Sequence, residues 1–397
     1  VFFDEASETF PSCVERTSKD DEHTDKQHFE HRRSHQLQFW IFHRSAMANT
    51  YEHERELAEL AVQRASLLTK RILADLDKGA LDKSDRTPVT IGDFGAQALM
   101  IAAIHHNFPE DSFIGEETAT ALRENEQLRN RVWDLVSTTT LQDKESDDRL
   151  GSIASAEEMM DIIDLGNHPG GRKGRIWILD PIDGTATFMR NQQYAVCLAL
   201  IVDGEQKVGV IGCPNLNLST GKISEENADN AGNGKMLSAI RGRGAIIRPL
   251  GRGCLQLFKP INRREDITAN PAALDFVESG NSKSVDLEFH RKVAEKMGAP
   301  WPGTDMWSSQ MRYIAMAVGG GDIMLRFYSK KGHKSYLWDH AGGFLIFEES
   351  GGKVTDLDGK PIDFGAGRRF ENNSEMVAAP EKAQPRILHL VNDMLKA

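Results

Sequence analysis

The hexapeptide Asp180-Pro181-Ile182-Asp183-Gly184-Thr185 stands at the end of the apolar run Ile176-Trp177-Ile178-Leu179. Proline bends a chain, so the two carboxylates can face one site, with the Ile182 carbonyl between them. Carboxylate and carbonyl oxygens are hard donors of the kind Mg2+ accepts. Gly184 and Thr185 can open a helix whose first N–H groups would cradle a phosphate. The same residues also read as an ordinary strand-to-helix turn in which an aspartate serves as the cap.

Three other pieces carry the same ambiguity. Gly115-Glu116-Glu117 follows a short strand, Ser112-Phe113-Ile114. Glu116 can join an acidic cluster, or the pair can be exposed glutamates favoured by a helix start. Trp338-Asp339-His340 precedes the apolar stretch Phe344-Leu345-Ile346-Phe347, and Gly351-Gly352 closes that helix. Asp339 can cap the helix or present an oxygen to a metal. Asp85 lies in the polar loop Lys83-Ser84-Asp85-Arg86-Thr87-Pro88. It is either a turn residue or the group that polarises the Thr185 hydroxyl, which would then orient a water.

The elements that must bring these residues together lie in a chain of 397 residues, long enough for two domains at about 150 residues each. Hydrophobic residues make up 40% and charged residues 27%, which excludes a disordered or collagen-like chain. The net charge of −11 argues against a general nucleic-acid binder, although bound cations can reverse the local field for a phosphorylated small molecule. The longest apolar run, Tyr194 to Val202, is far short of the roughly 20 residues of a membrane-spanning helix, so no membrane partner is expected. Cys13, Cys197, Cys213 and Cys254 form no CxxC pair, and buried thiols in a reducing, cytoplasmic compartment are expected.

Residues 1–46 hold five of the thirteen histidines and show no clear period. They lack an apolar segment of the signal-peptide kind. They read as a disordered extension, with Met47 as the natural start. From Tyr51 to Leu76, apolar residues recur at helical spacing: Leu57, Leu60, Ala61, Leu67, Leu68, Ile72 and Leu76. Asp93 reads as the N-cap of a helix reaching about Asn107. Residues 118–165 read as helix broken by the polar stretch Thr138 to Arg149. Strands are expected at Ala195–Val202, Val208–Cys213 and Met236–Ile240, joined by short turns into an antiparallel sheet. After about Pro249 the pattern turns to mixed strands and helices, ending in a helix from Pro385 to Leu395. The expected organisation is a metal-binding α+β domain over 47–249 and an α/β substrate-recognition domain over 250–397.

Taken in order, Asp85, Asp93, Gly115-Glu116-Glu117, the hexapeptide and Trp338-Asp339-His340 resemble the lithium-sensitive, magnesium-dependent phosphomonoesterases of the inositol monophosphatase superfamily. Three segments narrow the resemblance to the 3′(2′),5′-bisphosphate nucleotidases of the fungal salt-tolerance type. They are Gly170-Gly171-Arg172-Lys173-Gly174-Arg175, the run Gln193 to Leu200, and Gly212-Cys213-Pro214-Asn215-Leu216. The resemblance covers Tyr51 to the C-terminus. It implies a layered α/β/α/β/α sandwich with a large antiparallel sheet and a smaller mixed α/β part. It implies Glu116, Asp180, Asp183 and Asp339 as side-chain metal ligands, with the Ile182 carbonyl completing the set. Asp85 and Thr185 would activate the water, and Gly184 and Thr185 would bind the phosphate.

The implied reaction is Mg2+-dependent removal of the 3′(2′)-phosphate of adenosine 3′(2′),5′-bisphosphate (PAP), and of its sulfated form, which would tie the chain to sulfate assimilation. For the nucleotide, the resemblance points to Ser309, Arg312, Arg326 and the position of Asn281. Arg312 stands where the family usually has lysine. Asn281-Ser282-Lys283-Ser284 stands where it often has His-Ser-Ser-His, and Ala186-Thr187 replaces a common Lys-Gly pair. Each arginine also reads as a solvated surface charge. Two other functions remain open at this point: an inositol phosphate phosphatase, and a non-catalytic nucleotide sensor motivated by Asn281.

Overall fold

The computed structural model describes residues 50–77, 87–219, 223–262, 273–280, 282–330, 332–373 and 375–397. The expected extension 1–46, Met47, Cys13, Asp85 and Asn281 lie outside the described residues.

Among the described residues two long helices come first, α1 (Glu52–Asp77) and α2 (Thr87–Asn107). Asp93 is not the N-cap expected of it. The helix starts six residues earlier, because Pro88 is compatible with a first helical turn, and Asp93 is buried inside it. After β1 (Ser112–Gly115), four short helices cross over: α3 (Thr120–Glu124), α4 (Glu126–Thr138), α5 (Lys144–Asp148) and α6 (Ala156–Asp164). This long crossover lets β1 pair parallel to β2 (Arg175–Asp183). The rest of the seven-stranded sheet is antiparallel: β3 (Ala195–Val202), β4 (Glu205–Cys213), β5 (Lys235–Ile240), β6 (Ala245–Pro249) and β7 (Lys259–Pro260), in sequential order. A single turn of helix, α7 (Thr185–Phe188), separates β2 from β3.

The remaining elements are β8 (Val277–Glu278), α8 (Leu287–Met297), β9 (Thr304–Asp305), α9 (Ser309–Val318), β10 (Met324–Arg326), α10 (Ala341–Glu349), β11 (Gly352–Thr355), β12 (Met376–Pro380) and α11 (Gln384–Lys396). Strands β10, β12 and β11 form an antiparallel sheet in that order, and β8 pairs parallel to β9.

Side-chain alternation builds the layers. Trp177, Leu179, Val196, Leu198 and Leu200 pack on α1 and α2, while Ile176, Ile178, Cys197 and Ala199 face the other way onto α9 and α10. Met324, Met376 and Ala378 cover the far side of α9 and α10. Leu325, Val377 and Ala379 face α8 and α11. The fold is therefore a layered α/β/α/β/α sandwich. Gly209 shows how tightly it closes. A Cβ there would stand 2.7 Å from the Gly342 carbonyl oxygen, so β4 and α10 meet backbone to backbone.

Candidate metal centre

Residues three apart on a regular strand point to opposite faces. Asp180 and Asp183 escape that rule. Asp180 pairs with Cys197 and Asp183 with Ala195, so β2 carries one extra residue between them. Pro181 has no N–H to give a ladder, and the resulting bulge turns Asp183 back to the side of Asp180. Asp339, in the turn before α10, completes the group: one carboxylate oxygen from each aspartate lies within 4.8 Å of the others. Asp339 does not cap α10. His340 takes the N-cap position and makes no side-chain cap bond.

Glu116 leaves the end of β1 and its carboxyl interacts with those of Asp180, Asp183 and Asp339. Its side chain reaches solvent at the rim while its carboxyl is crowded among the other acids, and the helix α3 begins only at Thr120, so the pair 116–117 does not open a helix. Its backbone is fixed from one side by Gln97, whose side chain accepts the Glu117 N–H at 3.0 Å and donates to the Glu117 carbonyl at 2.8 Å. Gly184 sits at φ +100°, where a Cβ would meet the Thr187 hydroxyl at 2.7 Å. Thr185 follows it, exposed at the start of α7. Ile182 is buried beneath.

So many carboxyls in one place are hard to ionise together. Burial, then the charges of Glu116, Asp183 and Asp339, push Asp180 well above the usual carboxylate range. Burial and the neighbouring acids raise Glu116 to about 8 and Asp339 to about 7. Asp183 is raised by burial, against the pull of Ser308, Gln310 and Arg312. Asp93, close beneath, is raised by burial and by Glu117 and Glu116. The buried Oδ1 of Asp180 has no hydrogen-bond partner among the described residues. Converging acids with an orphaned oxygen fit a divalent cation, which supplies the missing charge and the missing partner at once.

The arginines adjoin this centre. Arg312 and Arg326 are not solvated surface charges: they are 2% and 8% exposed. Arg312 donates from Nη2 to Ser309 Oγ at 2.8 Å, while its Nε and Nη1, and the Nε of Arg326, lack partners among the described residues. Burial, with the charge of Arg326, lowers Arg312 to about 10. The charges of both arginines act on Asp339.

Several residues that hold the centre carry no signal as ligands in the sequence. Ser308 caps α9 by accepting the Met311 N–H, and its hydroxyl also donates to Asp183. Gln97 and Gln310 are uncharged polar residues within largely buried helices, and that mismatch is the one trace they leave. The glycine-rich basic segment is a fastening: the Arg175 Nε–H is shared between the two oxygens of Asp111 at 2.8 and 3.0 Å, Trp177 donates to the same carboxylate, and Arg172 pairs with Asp363.

A layered sandwich with an acidic centre on a bulged strand defines a class of phosphatase folds, and the profile of the inositol monophosphatase family matches residues 47–396. The chain belongs to that family. Among curated proteins it is 46% identical over 355 residues to the 3′(2′),5′-bisphosphate nucleotidase of Emericella nidulans, covering 87% of this chain and 99% of the relative. It is 43% identical over 335 residues to the Schizosaccharomyces pombe protein of the same name, covering 83% and 92%. A solved inositol monophosphatase from Zymomonas mobilis shares the fold at a TM-score of 0.52 and 17% identity, covering 87% of this chain and 99% of the other. No helix among the described residues is long and apolar enough to cross a membrane.

Proposed function

We propose that this chain is a Mg2+-dependent phosphomonoesterase that removes the 3′(2′)-phosphate of adenosine 3′(2′),5′-bisphosphate to give AMP and phosphate, with the sulfated form of that nucleotide as a second substrate. The observation that carries the reading is the convergence of Asp180, Asp183 and Asp339 next to two buried arginines with unpartnered N–H groups. Acids hold cations and buried arginines hold phosphate oxygens, so a substrate with two phosphates suits both halves. The names of the relatives agree.

Glu116, Asp180, Asp183 and Asp339, with the Ile182 carbonyl, would hold the metal. Bound there, Mg2+ polarises the scissile phosphate and lowers the pKa of water. Asp85 and Thr185 direct the attacking water and take its proton, and the backbone N–H groups at Gly184 and Thr185 steady the phosphate. Ser309, Arg312, Arg326 and Asn281 orient the nucleotide. Buried thiols at Cys197 and Cys213 support a reducing compartment, the cytoplasm.

The test is a panel of PAP, its sulfated form and inositol phosphates, each with and without Mg2+ and Li+. Mg2+-dependent phosphate release from PAP, inhibited by Li+, is expected. Preference for inositol phosphates would replace the substrate assignment. Tight nucleotide binding with no turnover would make the chain a sensor.

A further inference from the structure

Arg368 is spent on backbone carbonyls. Its Nη2 donates to the Gly115 oxygen at 2.6 Å, and its Nη1 to the oxygens of Gly166 at 2.9 Å and His168 at 3.1 Å. No carboxylate pairs with it among the described residues. Its guanidinium also lies 5.0 Å from the centre of the Trp338 ring. Trp338 stacks on Tyr336 at 4.2 Å and 14°, and Tyr336 carries the Arg369 guanidinium at 3.9 Å. The result is a four-membered stack, Arg368–Trp338–Tyr336–Arg369.

The place of this stack in the chain gives it meaning. Gly115 immediately precedes Glu116, and Trp338 immediately precedes Asp339. One side chain therefore grips the residue before each of two acids that lie more than 200 positions apart in the sequence. A planar fork presents donors in two directions and a flat face at once, whereas a lysine ammonium concentrates its three donors at one point and cannot span these carbonyls and the indole together. Gln97 fastens Glu117 on the other side, so the backbone around Glu116 is fixed both before and after the acid.

We propose that Arg368 is a positioning residue for the acidic centre: it sets the distance between Glu116 and Asp339 through the Gly115 carbonyl and the Trp338 ring. The proposal rests on reading the centre as a metal site and deepens it. Outer partners that orient ligands are typically worth about 10–100-fold in metal affinity.

The experiment is calorimetric titration of the full chain with Mg2+ alone, for wild type, Arg368→Ala and Arg368→Lys, with folding checked by circular dichroism. Both variants should bind Mg2+ about 10–100-fold more weakly, lysine giving no rescue. Their KM for nucleotide at saturating metal should stay near wild type while the metal needed for half-maximal rate rises. In a Glu116→Gln background, adding Arg368→Ala should weaken binding by less than it does in the wild type, because part of its effect runs through that ligand. Wild-type Mg2+ affinity in Arg368→Lys, the variant that retains the charge if Arg368→Ala does not fold, would overturn the proposal. So would a full additional loss in the Glu116→Gln background. The titration contains no substrate, so it stands or falls apart from the nucleotidase assignment.

Discussion

Asp183 accepts the backbone N–H of Gln310 at 2.6 Å, and the side chain of the same glutamine donates to the Trp338 carbonyl at 2.6 Å. Gln310 thereby ties the carboxylate on β2 to the turn that presents Asp339. Its Oε1 also accepts the Gly343 N–H at 2.7 Å, fixing the first turn of α10. Two acids more than 150 positions apart are thus indexed to one buried glutamine.

This linkage separates charge from structure in one substitution. Asp183→Asn keeps an oxygen that can accept the Gln310 N–H, so the fold should survive, with a melting temperature near that of wild type. The negative charge needed for the cation is lost. Loss of several kcal/mol of transition-state stabilisation corresponds to a fall of about 1000-fold or more in kcat/KM. Phosphate release from PAP at saturating Mg2+ measures it. Activity within tenfold of wild type would remove Asp183 from the metal set.

The raised carboxyls make the metal-free protein sensitive to pH. In the folded state Glu116 titrates near 8 and Asp339 near 7, against ordinary values of 4.5 and 3.8. Between the ordinary and the raised values, the folded chain binds more protons than the unfolded chain. Stability must then fall as pH rises through that window. With chelator present, the melting temperature should drop from pH 5 toward pH 9. Added Mg2+ should restore it, by a larger increment at pH 8.5 than at pH 6, and binding should release protons. A metal-free protein whose stability rises across that range would contradict the carboxyl environment described above.

Much of this arrangement is legible in the sequence, for physical reasons. The helix at 52–77 and strands β3 to β5 follow from apolar periodicity, because burial acts directly on side-chain type. The acids Glu116, Asp180, Asp183 and Asp339 stand out by residue type beside strand and helix ends. What periodicity cannot reveal is the bulge in β2, since it concerns the register between two strands and not the order of residues in one. Asp93 reads as the start of α2 because an acid before an apolar run mimics a cap, whereas it is buried inside the helix and feels the charges of Glu117 and Glu116. Gln97, Gln310 and Arg368 escape because each acts on backbone atoms of distant segments, and a backbone acceptor has no sequence signature.

Glu225 offers a test of the segments around α7 and α9. It is buried, and its two oxygens accept the N–H groups of Gln193 at 3.0 Å and Trp307 at 2.8 Å. Trp307 precedes Ser308, the residue that holds Asp183. Arg190 lies over the Trp307 ring at 4.2 Å, so the loop after α7 and the start of α9 are drawn together twice. Glu225→Gln would turn an N–H donor toward one of these two backbone donors. Loss of one charge-assisted bond in a buried site costs about 1.5–3 kcal/mol. Urea unfolding should register that loss as a lower midpoint at unchanged slope.

Arg312 allows recognition to be told apart from stability. It is buried beside the like charge of Arg326, and two of its donors have no partner among the described residues. Glu278 and Asp183 answer part of the Arg312 charge, and an anion entering beside the two arginines would answer more. Arg312→Met removes the desolvation cost and the repulsion from Arg326 together with the attraction to Asp183 and Glu278, so opposing effects offset each other. The melting temperature of the ligand-free variant should therefore stay within a few degrees of wild type. Its KM for PAP should increase by about 10–100-fold, the equivalent of one or two charge-assisted hydrogen bonds. A nucleoside monophosphate carrying only the scissile 3′-phosphate lacks the group assigned to Arg312, so its KM should change little between variant and wild type. An equal penalty on both substrates would mean that Arg312 serves the reacting phosphate and not the second one.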